Sequence, residues 1–374
     1  MNNFIERNRD EIFKTLRELC LIPAPSYFEG ERARYCRDWL ASLGAKDAYI
    51  DIAGNVVLPL GCKKGGITVI NAHLDTVFSD TKPMPYEDDG EIIRCPGVGD
   101  DTASVTVLLY AIKYFLESGD FPKDVLFVFN TCEEGLGNLK GIKQIFRDFD
   151  GRIERLVALD SRLDSIADKS VGSERYEVKV VTEGGHSYGN FGNKNAIAEL
   201  SRIISEIYSI DVPKNGDSKT SYNVGEIRGG TSVNTIAEEA VMLAEYRSDD
   251  RKCLSVMRDK FFDIFDRAKK RGIDVRVDLI GERPCMGDVD SEKQRALALG
   301  MAKIISSHTG EEISFRPAST DCNIPLSIGI PAVSCGVYRG GGAHTRDEWL
   351  RKDSLQIGLG VCIKLVKALG GMNE

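Results

Sequence analysis

The sequence predicts an α/β domain interrupted by an inserted α+β domain. Two observations carry this. Short apolar runs of strand length alternate with helix-like segments towards both ends of the chain, the pattern of a sheet covered on both faces. Between residues 174 and 284 the rhythm changes to strand, helix, strand, strand, helix, strand, the order of a ferredoxin-like β-α-β-β-α-β fold. The expected boundaries are 1–173 with 285–374 for the first domain and 174–284 for the insert.

In chain order, Phe4, Ile5, Ile12, Phe13, Leu16 and Leu19 recur at roughly helical spacing, and residues 31–43 form a second helix. Strand-like runs follow at Asn55–Leu60, Ile67–Ala72, Val125–Asn130 and Leu156–Asp160, with a long apolar helix at Ser104–Leu116. The insert holds strands at Glu174–Thr182, Ser221–Arg228, Ala240–Arg247 and Asp274–Ile280, and helices at Asn195–Tyr208 and Leu254–Arg271. Alternation then resumes with Asp290–His308, Ala332–Gly336 and a last helix near Ser354–Leu369.

The 374 residues are 42% hydrophobic and 28% charged, enough for two separate cores. A net charge of −8 offers no bulk attraction to nucleic acid or a membrane surface. No run reaches the ~18 apolar residues of a membrane helix. The first twenty residues are amphipathic and charged, which does not read as a secretory signal. Ten cysteines stand singly without a CxxC pair, the pattern of reduced thiols in a cytoplasmic protein.

The chemistry-bearing residues gather at the ends of the apolar runs. In Asn71-Ala72-His73-Leu74-Asp75-Thr76, alternate strand residues share a face, so His73 and Asp75 point the same way. The carboxylate is placed to fix the imidazole tautomer; alone, a surface histidine at a turn explains the pair equally well. Asp100 and Asp101 follow a glycine-rich turn and repel each other unless a cation neutralises them, although a helix cap explains one of them. Glu133 and Glu134 close the Val125–Asn130 run, where a ligand and a general base or a solvated loop are both open readings. Asp160 closes the next strand, and His344 follows three glycines. Each has an ordinary explanation alone. Together, two imidazoles and three carboxylates at the strand ends of one domain are the donor set for a pair of divalent cations, with Glu133 left over as a base.

The stretches AHLDT, GVGDDTASV, EEGLGN, ALDS, GGHS, SVNTIA, EYRS, STDCNIPLSIGIPA and GGAHTRDEW run in order from about residue 20 to 355. In them the chain resembles the two-zinc metallopeptidase family of peptidase T, glutamate carboxypeptidase, aminoacylase, acetylornithine deacetylase and succinyl-diaminopimelate desuccinylase, and most of all its peptidase T-like members. The resemblance implies a zinc-exopeptidase-type catalytic domain with the insert as lid or dimerisation domain. It implies two divalent metal ions, zinc first, with cobalt or manganese accepted by the same donors. His73 and Asp160 then hold one ion, Glu134 and His344 the other, and Asp100 bridges both, often with a cis peptide after it. Asp75 orients His73, and Glu133 is the general base for the attacking water. In the insert, His186 matches a lid histidine that reaches the substrate carbonyl. Asn234 and Arg247 match positions that grip the substrate, Arg247 as a clamp on its carboxylate.

The implied activity is hydrolysis of amide bonds in short peptides, as a di- or tripeptide exopeptidase. An N-acyl-amino-acid deacylase uses the same residues, and a non-catalytic peptide-binding member is the remote alternative. The expected partners are the small substrate and a second copy through the insert, with no nucleic acid and no membrane. Thr102, Cys132 and Cys322 depart from residues common in relatives, but none removes a ligand or the base. Beside two metal ions, Cys132 is expected to be oxidation-sensitive.

Overall fold

The computed structural model describes residues 1–62 and 65–372. The chain divides into two compact units, Met1–Ser170 with Gly287–Glu374, and Val171–Met286.

The first unit is built on an eight-stranded sheet. Its strands run in the order Tyr49–Ile50, Val56–Leu60, Val125–Asn130, Ile67–His73, Ile153–Ala158, Ala332–Cys335, Ser165–Ser170, Ser314–Ala318. Val125–Asn130, Ile67–His73, Ile153–Ala158 and Ala332–Cys335 are mutually parallel. Every residue of Val125–Asn130, Ile67–His73 and Ala332–Cys335 is buried. This is why they read as continuous apolar runs rather than alternating ones. Helices Arg9–Cys20, Ser104–Ser118, Ser291–Thr309 and Lys352–Leu369 complete one core with the sheet, through residues such as Leu16, Leu108, Met301 and Leu359. The C-terminal ends of the three adjacent strands 125–130, 67–73 and 153–158 therefore open at one edge, where ligands bind in open α/β sheets.

The second unit is an antiparallel four-stranded sheet in the order Thr220–Gly229, Glu239–Ser248, Gly172–Val181, Asp274–Arg283. Helices Ala196–Ile207 and Arg251–Lys270 contribute Leu200, Ile203, Phe261 and Phe265 to its core, facing Tyr176, Val178, Val180 and Met242. Both helices begin at a side-chain cap. Asn195 accepts from Ile197 and Ala198, and Asp250 accepts from Cys253. The strand and helix order is the ferredoxin-like one expected from the sequence.

Several elements escaped the sequence pattern. Ser314–Ala318 is an exposed edge strand carrying Pro317, so it shows neither alternation nor apolar character. Ser165–Ser170 and the helix Lys140–Asp148 were also missed, as was a small sheet of Gly340–Gly341, Trp349–Arg351, Ile92–Arg94 and Glu87–Asp88. Its strands are two or three residues long, too short for any period to register.

The last helix presses on the chain after the Ala332–Cys335 strand at Gly358, where a Cβ would stand 1.7 Å from the Val337 carbonyl oxygen. Gly358→Ala is therefore expected to destabilise the protein by about 1–3 kcal/mol, despite alanine's better helix propensity. Urea denaturation checks this, and an unchanged or raised midpoint would contradict the packing.

Candidate metal centre

Three strand ends and two turns deliver the candidate side chains of the first unit. His73 is the last residue of its strand and 1% exposed. Val125–Asn130 runs into Glu133 and Glu134, and Ile153–Ala158 into Asp160. Asp100 stands in the tight turn before the Ser104–Ser118 helix, and His344 in the glycine loop with φ 64°.

These six residues converge. His73 Nε2 lies 3.0 Å from Asp100 Oδ1, while His344 Nε2 lies 3.0 Å from Asp100 Oδ2 and 3.1 Å from Glu134 Oε1. His73, Asp100 and Asp160 each offer a ligand atom within 4.8 Å of the others. The same holds for Asp100, Glu134 and His344, and for His73, Glu133 and Glu134. Asp100 thus presents one oxygen to each imidazole, and the peptide after it is cis.

The charges explain what such a cluster wants. Burial, reinforced by Asp100, pushes Glu134 up to about 7, and the same causes raise Asp160 well above the carboxylate range. Burial acts on Asp100 in the same direction, but hydrogen bonds from His344 and His73 prevail and hold it below its usual value. Hydrogen bonds to Asp100 and Glu134 lift His344 to about 11. Burial depresses His73, yet Asp101, Asp100 and Asp75 outweigh it and raise the imidazole well above its ordinary value. Four crowded carboxylates share two imidazoles, and protons substitute for missing positive charge. Divalent cations supply that charge with the donor types present, so the residues fit a metal centre.

A layer of buried polar groups holds these candidate ligands, and two of its members, Glu29 and Asp321, were not singled out as site residues by sequence reasoning. Asp75 Oδ1 accepts the Glu133 N–H at 2.9 Å, and Oδ2 accepts the Glu134 N–H at 2.9 Å and the Ser26 hydroxyl at 2.6 Å. Its carboxylate is 3.5 Å from His73 Nδ1, whose nearer partner is the Asp75 main-chain oxygen at 3.0 Å. Asp75 is thus chiefly an anchor for the glutamate turn. Glu29 continues the pattern by accepting the Cys132 N–H at 2.9 Å. Asp101 is no helix cap; it is 1% exposed and accepts the His73 N–H at 2.9 Å. Asp321 accepts from Asn71 and Asn130 at 2.7 Å each, tying the ends of two ligand-bearing strands together. Asp321 and Asn71 lie inside quoted stretches, which was the available signal, but only the fold brings them together.

Cys132 is fully buried, and burial with Glu29 and Asp75 pushes its thiol up to about 12. A protonated, enclosed thiol is a poor nucleophile, contrary to the oxidation-sensitivity expected from proximity alone. The other three candidates belong to the second unit. His186 and Asn234 share one short ribbon, with His186 paired to Thr235 and the Ser187 N–H donating to the Asn234 oxygen at 3.0 Å. Arg247 forms a bidentate pair with Glu245, at 2.7 and 2.9 Å.

Adding zinc to chelator-treated protein should raise its melting temperature. The linkage is about 2.7 kcal/mol at a free metal concentration a hundredfold above Kd. Calorimetry with and without zinc reads this, and a flat response across zinc concentrations would count against a metal centre here.

Comparisons with known proteins bear on the fold and the family. A tripeptidase structure from Staphylococcus aureus superposes with a TM-score of 0.77 at 20% identity, covering 98% of this chain and 99% of that one. The aminopeptidase PepT structure from Bacillus cereus gives a TM-score of 0.73 at 20% identity, covering 97% and 99%. The succinyl-diaminopimelate desuccinylase of Corynebacterium glutamicum is 25% identical over 343 residues, 87% of this chain and 88% of that protein. The sequence profile of Peptidase family M20/M25/M40 matches residues 69–368, so the chain belongs to that family and is an enzyme of its peptidase and amidohydrolase class.

Proposed function

We propose that the chain cleaves amide bonds in short peptides, as a di- or tripeptide exopeptidase that uses two divalent metal ions. The observation that carries this reading is the Asp100 carboxylate, with one oxygen 3.0 Å from His73 and the other 3.0 Å from His344. On this reading His73 and Asp160 hold one ion, Glu134 and His344 the other, and Asp100 serves both. Bound there, the cations supply Lewis-acid polarisation of the amide carbonyl and make a water acidic enough to react near neutral pH. Zinc suits the donors, as do cobalt and manganese.

Glu133 is 4% exposed and offers a ligand-type oxygen beside His73 and Glu134. It takes the proton of the attacking water and returns it to the departing amine. Asp75 keeps that base aimed by holding its main-chain N–H. In the second unit, His186 donates to the substrate carbonyl oxygen as charge develops there. Asn234 and Arg247 grip the substrate, and a substrate carboxylate competes with Glu245 for the Arg247 fork. That unit serves as lid and as the surface for a second copy. Ten free cysteines support a reducing, cytoplasmic setting.

The peptidase T-like stretches EEGLGNLKG and STDCNIPLSIGIPA favour peptides as substrates. The likeness to the desuccinylase supports the second reading, an N-acyl-amino-acid deacylase. Zinc-loaded protein tested on free and end-blocked di- and tripeptides, and on N-acetyl and N-succinyl amino acids, separates the two. Free tripeptides are expected to turn over, and Glu133→Gln to lower kcat by about 10²–10⁴-fold with little change in KM. Turnover of N-acyl amino acids alone would move the enzyme to the deacylases. A fully active Glu133→Gln would remove Glu133 from the chemistry.

A further inference from the structure

The turn that presents Asp100 contains Gly97, Val98 and Gly99 and has little side chain with which to fix itself. Gly97 adopts φ 76°, and a Cβ on it would stand 2.6 Å from the Thr76 side chain. A Cβ on Gly99 would stand 2.6 Å from the Tyr338 ring. Glycine is required here by space, yet glycine also leaves the backbone free to wander.

Two buried side chains oppose this: the Thr102 hydroxyl donates to the Gly97 carbonyl at 2.6 Å, and Glu348 takes N–H groups of the turn. Glu348 is 1% exposed, and its Oε2 accepts the Gly97 N–H at 2.7 Å. Its Oε1 accepts the Gly99 and Asp100 N–H groups, both at 2.8 Å. Three N–H groups from four consecutive residues therefore converge on one carboxylate, an anion-binding nest filled from within the chain. The main chain fastens the same residue, since the Cys95 N–H donates to the Glu348 carbonyl at 3.1 Å and the next strand pairs Trp349 with Arg94. Glu348 also stands four residues beyond His344, so it joins the segments that carry two of the candidate ligands.

We infer that Glu348 is a positioning residue for the metal centre. Its carboxylate pre-forms the Gly97–Asp100 turn, so that Asp100 already stands between the two imidazoles when cations bind. The inference rests on the metal-centre reading above, but the hold on the turn can be measured without metal.

Glu348→Gln keeps the size of the side chain and exchanges one acceptor oxygen for an NH₂ group, which leaves at least one N–H of the turn without an acceptor. Two readouts on chelator-treated protein test the idea, with Glu91→Gln, on an exposed residue, as control. Amide hydrogen exchange over residues 95–101 is expected to quicken about tenfold or more in Glu348→Gln while that of Val125–Asn130 stays as in wild type. Zinc affinity, read by competition with a chromophoric chelator, is expected to fall about 10–100-fold. Wild-type exchange together with wild-type zinc affinity would overturn the proposal. If Glu348→Gln does not fold, the metal-free wild type decides: slow exchange of Gly97, Gly99 and Asp100 supports the nest, and open-loop rates overturn it. If the wild type binds no zinc, the metal reading fails while the exchange comparison still judges Glu348.

Discussion

The structure turns on concentrating negative charge at the open edge of a buried sheet. Asp100, Glu133, Glu134 and Asp160 lie within a few ligand lengths of one another, among apolar strands that offer no solvent to screen them. Such a cluster is tenable only if its members are fixed and if something positive is shared among them. The fold meets the first condition with main-chain N–H groups. Three consecutive ones, from Cys132, Glu133 and Glu134, are taken by Glu29 and Asp75. Three more, from Gly97, Gly99 and Asp100, are taken by Glu348. The two imidazoles meet the second condition in part, while burial, with Asp100 beside them, still pushes Glu134 and Asp160 upward.

This division of labour explains why the candidate ligands stand out in the sequence and most of their supports do not. His73 ends one strand that is buried throughout, Glu133 and Glu134 follow another, and Asp160 follows the shorter apolar run 156–159, so each charge stands out against its run. Glu29 and Glu348 act from short turns more than a hundred residues from the main-chain groups they bind, so no local pattern reports them. Asp101 reads as a cap, because an aspartate before a helix has a sound local reason to be there. Its actual partner, the His73 N–H, is supplied by another strand. The sheet order was equally non-local: strands 67–73 and 153–158 are neighbours although Val125–Asn130 lies between them in sequence.

Local reasoning overreached at Cys132 and caught only part of what Asp75 does. Period two put Asp75 on the same side as His73, and both do face the site. Yet the carboxylate spends its shorter hydrogen bonds on the glutamate turn and on Ser26. Cys132 stands beside the glutamates, but its side chain packs inward and its thiol donates to Glu29. Proximity along the chain to a reactive centre is a poor guide to reactivity when the turn, here with φ 56° at Cys132, points the side chain the other way.

The same logic locates where specificity resides. The candidate ligands and base are held through main-chain N–H contacts that are indifferent to the substrate. On the proposed function, the choice between a peptide and an acylated amino acid falls to the groups that contact the substrate. Arg247 is the clearest of these, because its fork is already closed on Glu245, with Arg175 3.2 Å from the second carboxylate oxygen. A carboxylate that takes Arg247 must displace a bidentate partner and leave Arg175 to neutralise Glu245. An arginine held this way binds a carboxylate only when other contacts supply the difference, so a carboxylate-bearing substrate has to bring further contacts of its own. A tripeptide carries more groups for such contacts than a bare acylated amino acid, and the proposed peptide reading accords with that.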